Sequence, residues 1–218
     1  DFFCLQEVLA APGAHARTSQ DGERLNLLQD LADLLPGFQY TFYPSYLPYS
    51  LGADVALSVE QGNAIFSKRE CTQLSSGGFF AHGSLRERTG PHSGFGSILQ
   101  YEELKVCGSS LTLCNVHGIA DWPKVDTPAR LEQVRNIQRF MENVSGSKLL
   151  CGDFNLFPDT QSIAMLGSSL RNLVAEFGVP TTRSEINRKK HAGESVIDCI
   201  SDYIFCSPNL PVASLAVP

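Results

Sequence analysis

The chain has no excess of positive charge, no Cys-x-x-Cys pair and no uninterrupted apolar stretch approaching the ~20 residues that span a bilayer, and each absence removes a class of function. With 17 Lys and Arg against 23 Asp and Glu, it lacks the basic coat that grips a phosphate backbone nonspecifically. Any anionic substrate must therefore be held locally. Without a Cys-x-x-Cys pair, neither a structural zinc site nor a redox dithiol is expected. Seven cysteines is an odd number. Cys4, Cys107, Cys114, Cys151, Cys199 and Cys206 lie in or beside apolar runs, so they read as reduced thiols of a cytoplasmic protein. No charged-then-apolar leader opens the chain, and the sequon Asn143-Val144-Ser145 then reads as incidental. There is no repeat, no heptad pattern and no G-x-x-x-x-G-K-[ST] phosphate loop.

What is present is enough apolar material, 43% of 218 residues, for one large core. Apolar runs of strand length, bounded by Gly, Pro, Ser or Asp, fall at Phe2 to Leu5, Asn63 to Phe66, Ser97 to Tyr101, Leu111 to Val116, Leu149 to Cys151 and Ile200 to Cys206. Two segments carry helical period instead. In "ERLNLLQDLADLLPG", Leu25, Leu28, Leu31 and Leu35 share a face and Pro36-Gly37 ends the helix. In "DTPARLEQVRNIQRFMENV", Thr127 caps, Pro128 takes the first helical position, and Leu131, Val134, Ile137, Met141 and Val144 form the stripe. A short helix is expected at Thr160 to Leu166. Interleaved strands and helices predict an α/β domain with a mixed rather than doubly wound sheet arrangement. The stretches "TFYPSYLPYSLG", "HGSLRERTGPHSGFG" and "NRKKHAG" read as loops, although a packed strand and its turn is the stronger reading for Phe42 to Tyr49.

Polar residues gather where strands end. In "KLLCGDFNLFPDT" a strand's period of two places Asp153 and Asn155 on one side and Phe154 in packing. A carboxylate there can prepare a water and an amide can donate to a phosphoryl oxygen. Taken alone, Gly-Asp-x-Asn is equally ordinary turn chemistry. In "FFCLQEV", Gln6 and Glu7 end another strand, and Glu7 can serve magnesium, which takes oxygen ligands. In "LTLCNVHGIADW", alternation sets His117 on the face of Asn115. In "SVIDCISDYIFCSP", Asp198 and Asp202 sit in an otherwise apolar run, where an acid needs a partner.

Taken in order, LQE, N-x-H, GDFN and SDYIF resemble the motifs of the endonuclease/exonuclease/phosphatase superfamily, over nearly the whole chain. The resemblance implies a DNase I-like sandwich of two mixed β-sheets flanked by helices. It also implies cleavage of phosphate esters with Mg2+ or Mn2+. It makes Glu7 the metal ligand, Asp153 the water-activating acid, Asn155 and His117 the groups at the scissile phosphate, and Asp202 the acid that orients a second histidine. That histidine belongs to a terminal S-D-H motif, and neither it nor the Asn of the family's first strand is found in residues 1–218. The expectation is one domain trimmed at both ends, weakly active or inactive as it stands. Asp202 would then be left without its histidine and its carboxyl raised. Asp198, about 13 Å away along an extended chain, is its rival for the role.

A DNA or RNA phosphodiester is the first substrate choice, with Arg86, Arg88 and "NRKKHAG" as backbone contacts and the aromatic Phe42 to Tyr49 segment as a base-stacking surface. The alternatives are a phosphatase or phosphodiesterase acting on a small or lipid phosphate, and an inactive binding module of the same fold. No feature points to an obligatory protein partner.

Overall fold

The computed structural model describes residues 1–13, 18, 22, 24–47, 59–87, 96–190 and 200–217. Ten strands and five helices occur among them. In chain order they are β1 (Phe2–Ala10), α1 (Leu27–Leu34), β2 (Phe38–Leu47), β3 (Glu60–Lys68), β4 (Thr72–His82), β5 (Arg86–Glu87), β6 (Ser97–Val106) and β7 (Ser109–His117). Then follow α2 (Pro128–Asn143), β8 (Ser147–Asp153), α3 (Gln161–Gly167), β9 (Arg171–Asn172), α4 (Leu173–Glu176), α5 (Glu185–Lys190) and β10 (Asp202–Cys206).

The strands form two sheets, ordered β1-β3-β2-β5 and β4-β6-β7-β8-β10-β9. Both are mixed: β5 joins β2 in parallel and β7 runs parallel to β8, while the other pairs are antiparallel. The expected mixed two-sheet sandwich with flanking helices is what forms.

Alternation along the strands builds the layers. Cys114, Val116, Leu150, Tyr203 and Phe205 of the larger sheet face outward, onto Val134, Ile137 and Met141 of α2 and Ile163 of α3. Their neighbours Leu113, Leu149 and Cys151 face inward, where Phe2, Cys4 and Ile65 of the smaller sheet meet them. On the far side, Val8, Ala64 and Phe66 pack under Leu28, Leu31 and Leu35. Leu25 precedes α1 rather than joining its stripe, and packs with Leu9, Ala11 and Val59.

Several expectations are revised. Thr41 to Leu47 is strand, as the stronger reading of the aromatic segment had it, whereas Asn187 to Lys190, read as a loop, is the end of α5. Strand β4 carries few apolar residues and had no sequence signal. The buried stripe of α2 is Arg130, Gln133, Val134, Ile137 and Met141. A face that includes two polar side chains is invisible to an apolar period, and Leu131 is displaced to its margin. Thr127 does cap this helix, accepting from Arg130 N at 3.2 Å, with Pro128 behind it. Asp198, Arg88, Cys199 and residues 191 to 193 of the basic segment lie outside the described residues.

Candidate active site

Three strand ends set the site. In the parallel β7–β8 pair His117 is the register partner of Asp153, and in the antiparallel β8–β10 pair Asp153 is the partner of Asp202. The three side chains therefore stand in a row across adjacent strands, on the face turned toward the smaller sheet. Asp202 opens β10 rather than sitting within it, which is how an acid is accommodated in that run.

Two glycines let the strands approach. A Cβ at Gly152, whose φ is 137°, would collide with Val116 O, and one at Gly118 would collide with Phe154 O. Gly118 N–H instead donates to Asp153 O at 2.7 Å. The glycine of the GDFN motif is thus required by the neighbouring backbone.

Asn155 departs from the strand geometry assumed for it. Its φ is 53°, in the left-handed region that Asn tolerates, and its N–H donates to Asp153 Oδ1 at 2.8 Å. The two residues share a turn, not a strand face. Among the described residues Asn155 Nδ2 reaches only Gly118 O, at 3.4 Å, a long bond that leaves its second amide hydrogen uncommitted there. Phe154 packs edge-on against Tyr203, with ring centroids 5.6 Å apart, as expected of the residue pointing away.

Glu7 is not at a strand end either. It sits where the β1–β3 register shifts between Leu5 and Val8, with φ 58°. Such a bulge re-aims a side chain. Here it directs Glu7 to His117, with Oε1 3.9 Å from Nε2 and the Glu7 side chain 65% exposed. Asn115 holds β1 in that position from the opposite sheet. Buried completely, it accepts from Gln6 Nε2 at 2.6 Å and donates to Leu5 O at 2.9 Å. The sequence placed Asn115 on the site face, but not as a clamp between sheets, because its partners are over a hundred residues away.

Asp202 has a partner, the Thr182 hydroxyl, which donates to Oδ2 at 2.9 Å. Burial, and after it the Asp153 carboxylate, raise the Asp202 carboxyl above the usual range, while Thr182, Lys124 and Ser201 oppose the rise. Below the unfolded carboxyl value of about 3.9 the group is neutral in both states and costs nothing. As pH rises through the higher folded value the native state loses stability. Asp202→Asn, which keeps an oxygen for Thr182, should raise the thermal midpoint at neutral pH, with the gain vanishing near pH 3. A gain that persisted at acid pH would refute this account.

Sequence reading missed Lys124 and Arg130. The segment after His117 wraps around the Arg130 guanidinium, which is 1% exposed. It donates to Pro123 O at 2.6 Å, Val125 O at 2.7 Å, Ile119 O at 3.2 Å and Asp121 O. Asp126 then ties the segment to α3 through Gln161 N and Ser162 N. Within it Lys124 is buried and its charge acts on Asp202. An RxxQ pair in a helix following N-x-H was the available signal, but its meaning lies in carbonyls that have no side-chain signature.

The sequence model of the Endonuclease/Exonuclease/phosphatase family matches residues 1–218. Among solved structures, an endonuclease/exonuclease/phosphatase from Bacteroides vulgatus is similar at TM-score 0.66 and 16% identity, covering 95% of this chain and 73% of that one. A Bacteroides thetaiotaomicron mannosyl-6-phosphatase gives TM-score 0.65 and 20% identity, over 96% and 72% of the two chains. TDP2 of D. rerio, complexed with single strand DNA product, gives 0.62 and 16%, over 97% and 73%. A search of curated protein sequences found no significant match. The family is one of hydrolase-type phosphoesterases. The chain belongs to the endonuclease/exonuclease/phosphatase family.

The family generally uses a divalent metal. Among the described residues no three His, Cys, Asp or Glu side chains gather into a ligand cage. What the site offers is one exposed carboxylate, Glu7, aimed by its bulge at the row containing Asp153. Magnesium is commonly held by one or two carboxylates with substrate phosphate and waters, so this donor set fits a sparse site of that kind. No helix among the described residues is long and apolar enough to cross a membrane.

Proposed function

We propose that the chain is a magnesium-dependent phosphoesterase that hydrolyses phosphodiester bonds, nuclease-type in its chemistry. The observation that carries the reading is the row His117, Asp153, Asp202 across three adjacent strands, with Glu7 set 3.9 Å from His117 by the bulge. Mn2+ would serve the same site.

Asp153 orients an attacking water and takes its proton. Its carboxylate is fixed for this by the Asn155 N–H, which holds Oδ1 and leaves the other oxygen free. Asn155 Nδ2 and His117 Nε2 donate to phosphoryl oxygens as charge builds on them. Glu7 would hold the metal, which when bound supplies Lewis-acid polarisation of the phosphate. The family resemblance gives Asp202 the role of orienting a histidine, and among the described residues Thr182 holds it. The six described cysteines are free thiols, which supports a reducing, cytoplasmic setting.

A second reading, hydrolysis of a small or lipid phosphate, is favoured by a cavity of about 520 Å³ between β1 and the larger sheet. It has Asp202 and Thr182 at its polar end and Phe2, Leu149 and Ile204 along its walls. Abasic-site duplex, single-stranded DNA, bis-p-nitrophenyl phosphate and an inositol phosphate, each assayed with magnesium and with chelator, separate the readings. Chelator-sensitive turnover of the DNA substrates supports the first. Turnover of the inositol phosphate alone would replace it with the second.

Glu7→Gln should raise the magnesium concentration for half-maximal activity by about tenfold or more with the thermal midpoint unchanged, since one charged ligand is lost from an exposed position. An unchanged magnesium titration would remove Glu7 as the ligand.

A further inference from the structure

We propose that Trp122 is the stacking platform for the nucleobase of the nucleotide that carries the scissile phosphate. The inference rests on the phosphoesterase reading of the strand-end site and extends it to a substrate class.

Trp122 is the only tryptophan in the chain, and it is 61% exposed. An exposed indole is ordinary on a mobile surface loop, but this loop is fixed. Arg130 holds the carbonyls on both sides of it, at Asp121 and Pro123, and Gln133 Oε1 accepts from Ile119 N at 3.0 Å. A rigid aromatic side chain binds with little loss of entropy. The fold therefore spends a buried guanidinium on presenting an indole to solvent.

Its location ties it to the chemistry. The Trp122 loop leaves β7 at His117, and the loop bearing Phe157 leaves β8 at Asp153, the two strand ends of the site. Trp122 and Phe157 meet edge to face, with centroids 5.8 Å apart at 89°. Beside them Phe157 N–H donates to Lys124 O at 2.9 Å, joining the loops at the residue whose charge reaches Asp202. The aromatic pair thus joins the two loops that leave the strands ending at His117 and Asp153, with Asn155 two residues before Phe157.

The surroundings select the ligand. Pro123, Val125 and Pro158 flank the pair without offering a side-chain hydrogen bond, and Val125 is itself 42% exposed. Asp121 is the near polar side chain, and its Oδ1 already accepts from Trp122 N at 2.9 Å. A flat, apolar-faced ring on a single nucleotide meets these conditions, because every base has a π-face.

Because no other indole emits, the full chain reports its own ligand. Titration with adenylyl-adenosine in chelator, with the indole excited selectively, should give saturable quenching. Ribose 5-phosphate at the same concentration should give none. In magnesium, Trp122→Ala should raise KM for adenylyl-adenosine by roughly tenfold, the effect of one lost stack, with kcat changed less. Trp122→Phe should restore most of the affinity. Adenosine monophosphate, as a third titrant, distinguishes a free nucleotide from a nucleic-acid end: equal quenching favours the former. Absence of quenching at saturating dinucleotide, equal quenching by ribose 5-phosphate, or an unchanged KM in Trp122→Ala would each overturn the proposal. Quenching without any hydrolysis would leave the stacking site standing and remove the phosphoesterase reading instead.

Discussion

Asp153→Asn should lower metal-dependent hydrolysis by about 10²–10⁴-fold, the range of a lost general base, with no loss of fold. The structure explains why the two effects separate. Asp153 supports its turn through one oxygen, Oδ1, which accepts the Asn155 N–H at 2.8 Å. An asparagine keeps an oxygen that can accept there but has no basicity to take a proton from water. The charge lost is also one that the structure tolerates at a cost, because the neighbouring Asp202 carboxyl is raised in part by Asp153. The variant should therefore hold or slightly raise its thermal midpoint at neutral pH, and the Asp202 titration, followed by carboxyl NMR, should move down. Retained turnover at the wild-type rate would remove Asp153 as the base. Lost turnover together with a collapsed midpoint would assign it to folding instead.

Arg130→Met should destabilise the protein by about 3–5 kcal/mol, the cost of removing one partner from a buried charged network. For a domain of this size that is a fall of roughly 10 °C in the thermal midpoint. The guanidinium donates to four carbonyls of the segment 119–125. Those oxygens converge on a side chain that is 1% exposed, where water cannot easily replace the lost donors. Arg130→Lys should recover little, since one ammonium cannot reproduce a planar fork of donors to several oxygens. Calorimetry or urea unfolding measures both variants. A loss within about 1 kcal/mol, the ordinary range for a single mutation, would mean that the segment is held by Gln133 and Asp126 instead.

The two variants illustrate how differently the parts of this site are written into the chain. Asp153 was legible because strand, glycine and acid occur within one short stretch, and the alternation of "KLLCGDF" tells which residues face the packing. Its glycine has a reason the stretch does not contain, the approach of Val116 O on the next strand. Glu7 was legible as an acid in a strand-like run, but its aim comes from a bulge against β3, some sixty residues away. Arg130 carried only the spacing of its RxxQ pair, which does not reveal its role. A cation in a helix usually marks the solvated side, and only the wrapped carbonyls, which any residues at those positions would supply, reverse that reading. The same limit applies to Asn155, whose left-handed backbone replaced the strand geometry assumed for it while keeping it beside Asp153.

The amino-acid sequence by itself determined the layers of this protein and the candidates for its chemistry, because apolar alternation and the order of short polar motifs are local properties. Burial of one strand face and one helix stripe follows directly from them. The tertiary structure alone decided the register that sets His117 beside Asp153 and Asp153 beside Asp202, and the cross-sheet bonds of Asn115 that bring Glu7 to them. It also decided that the loop after His117 is rigid and turns Trp122 outward. Each of these depends on backbone groups meeting across long separations, and every residue carries the same backbone groups.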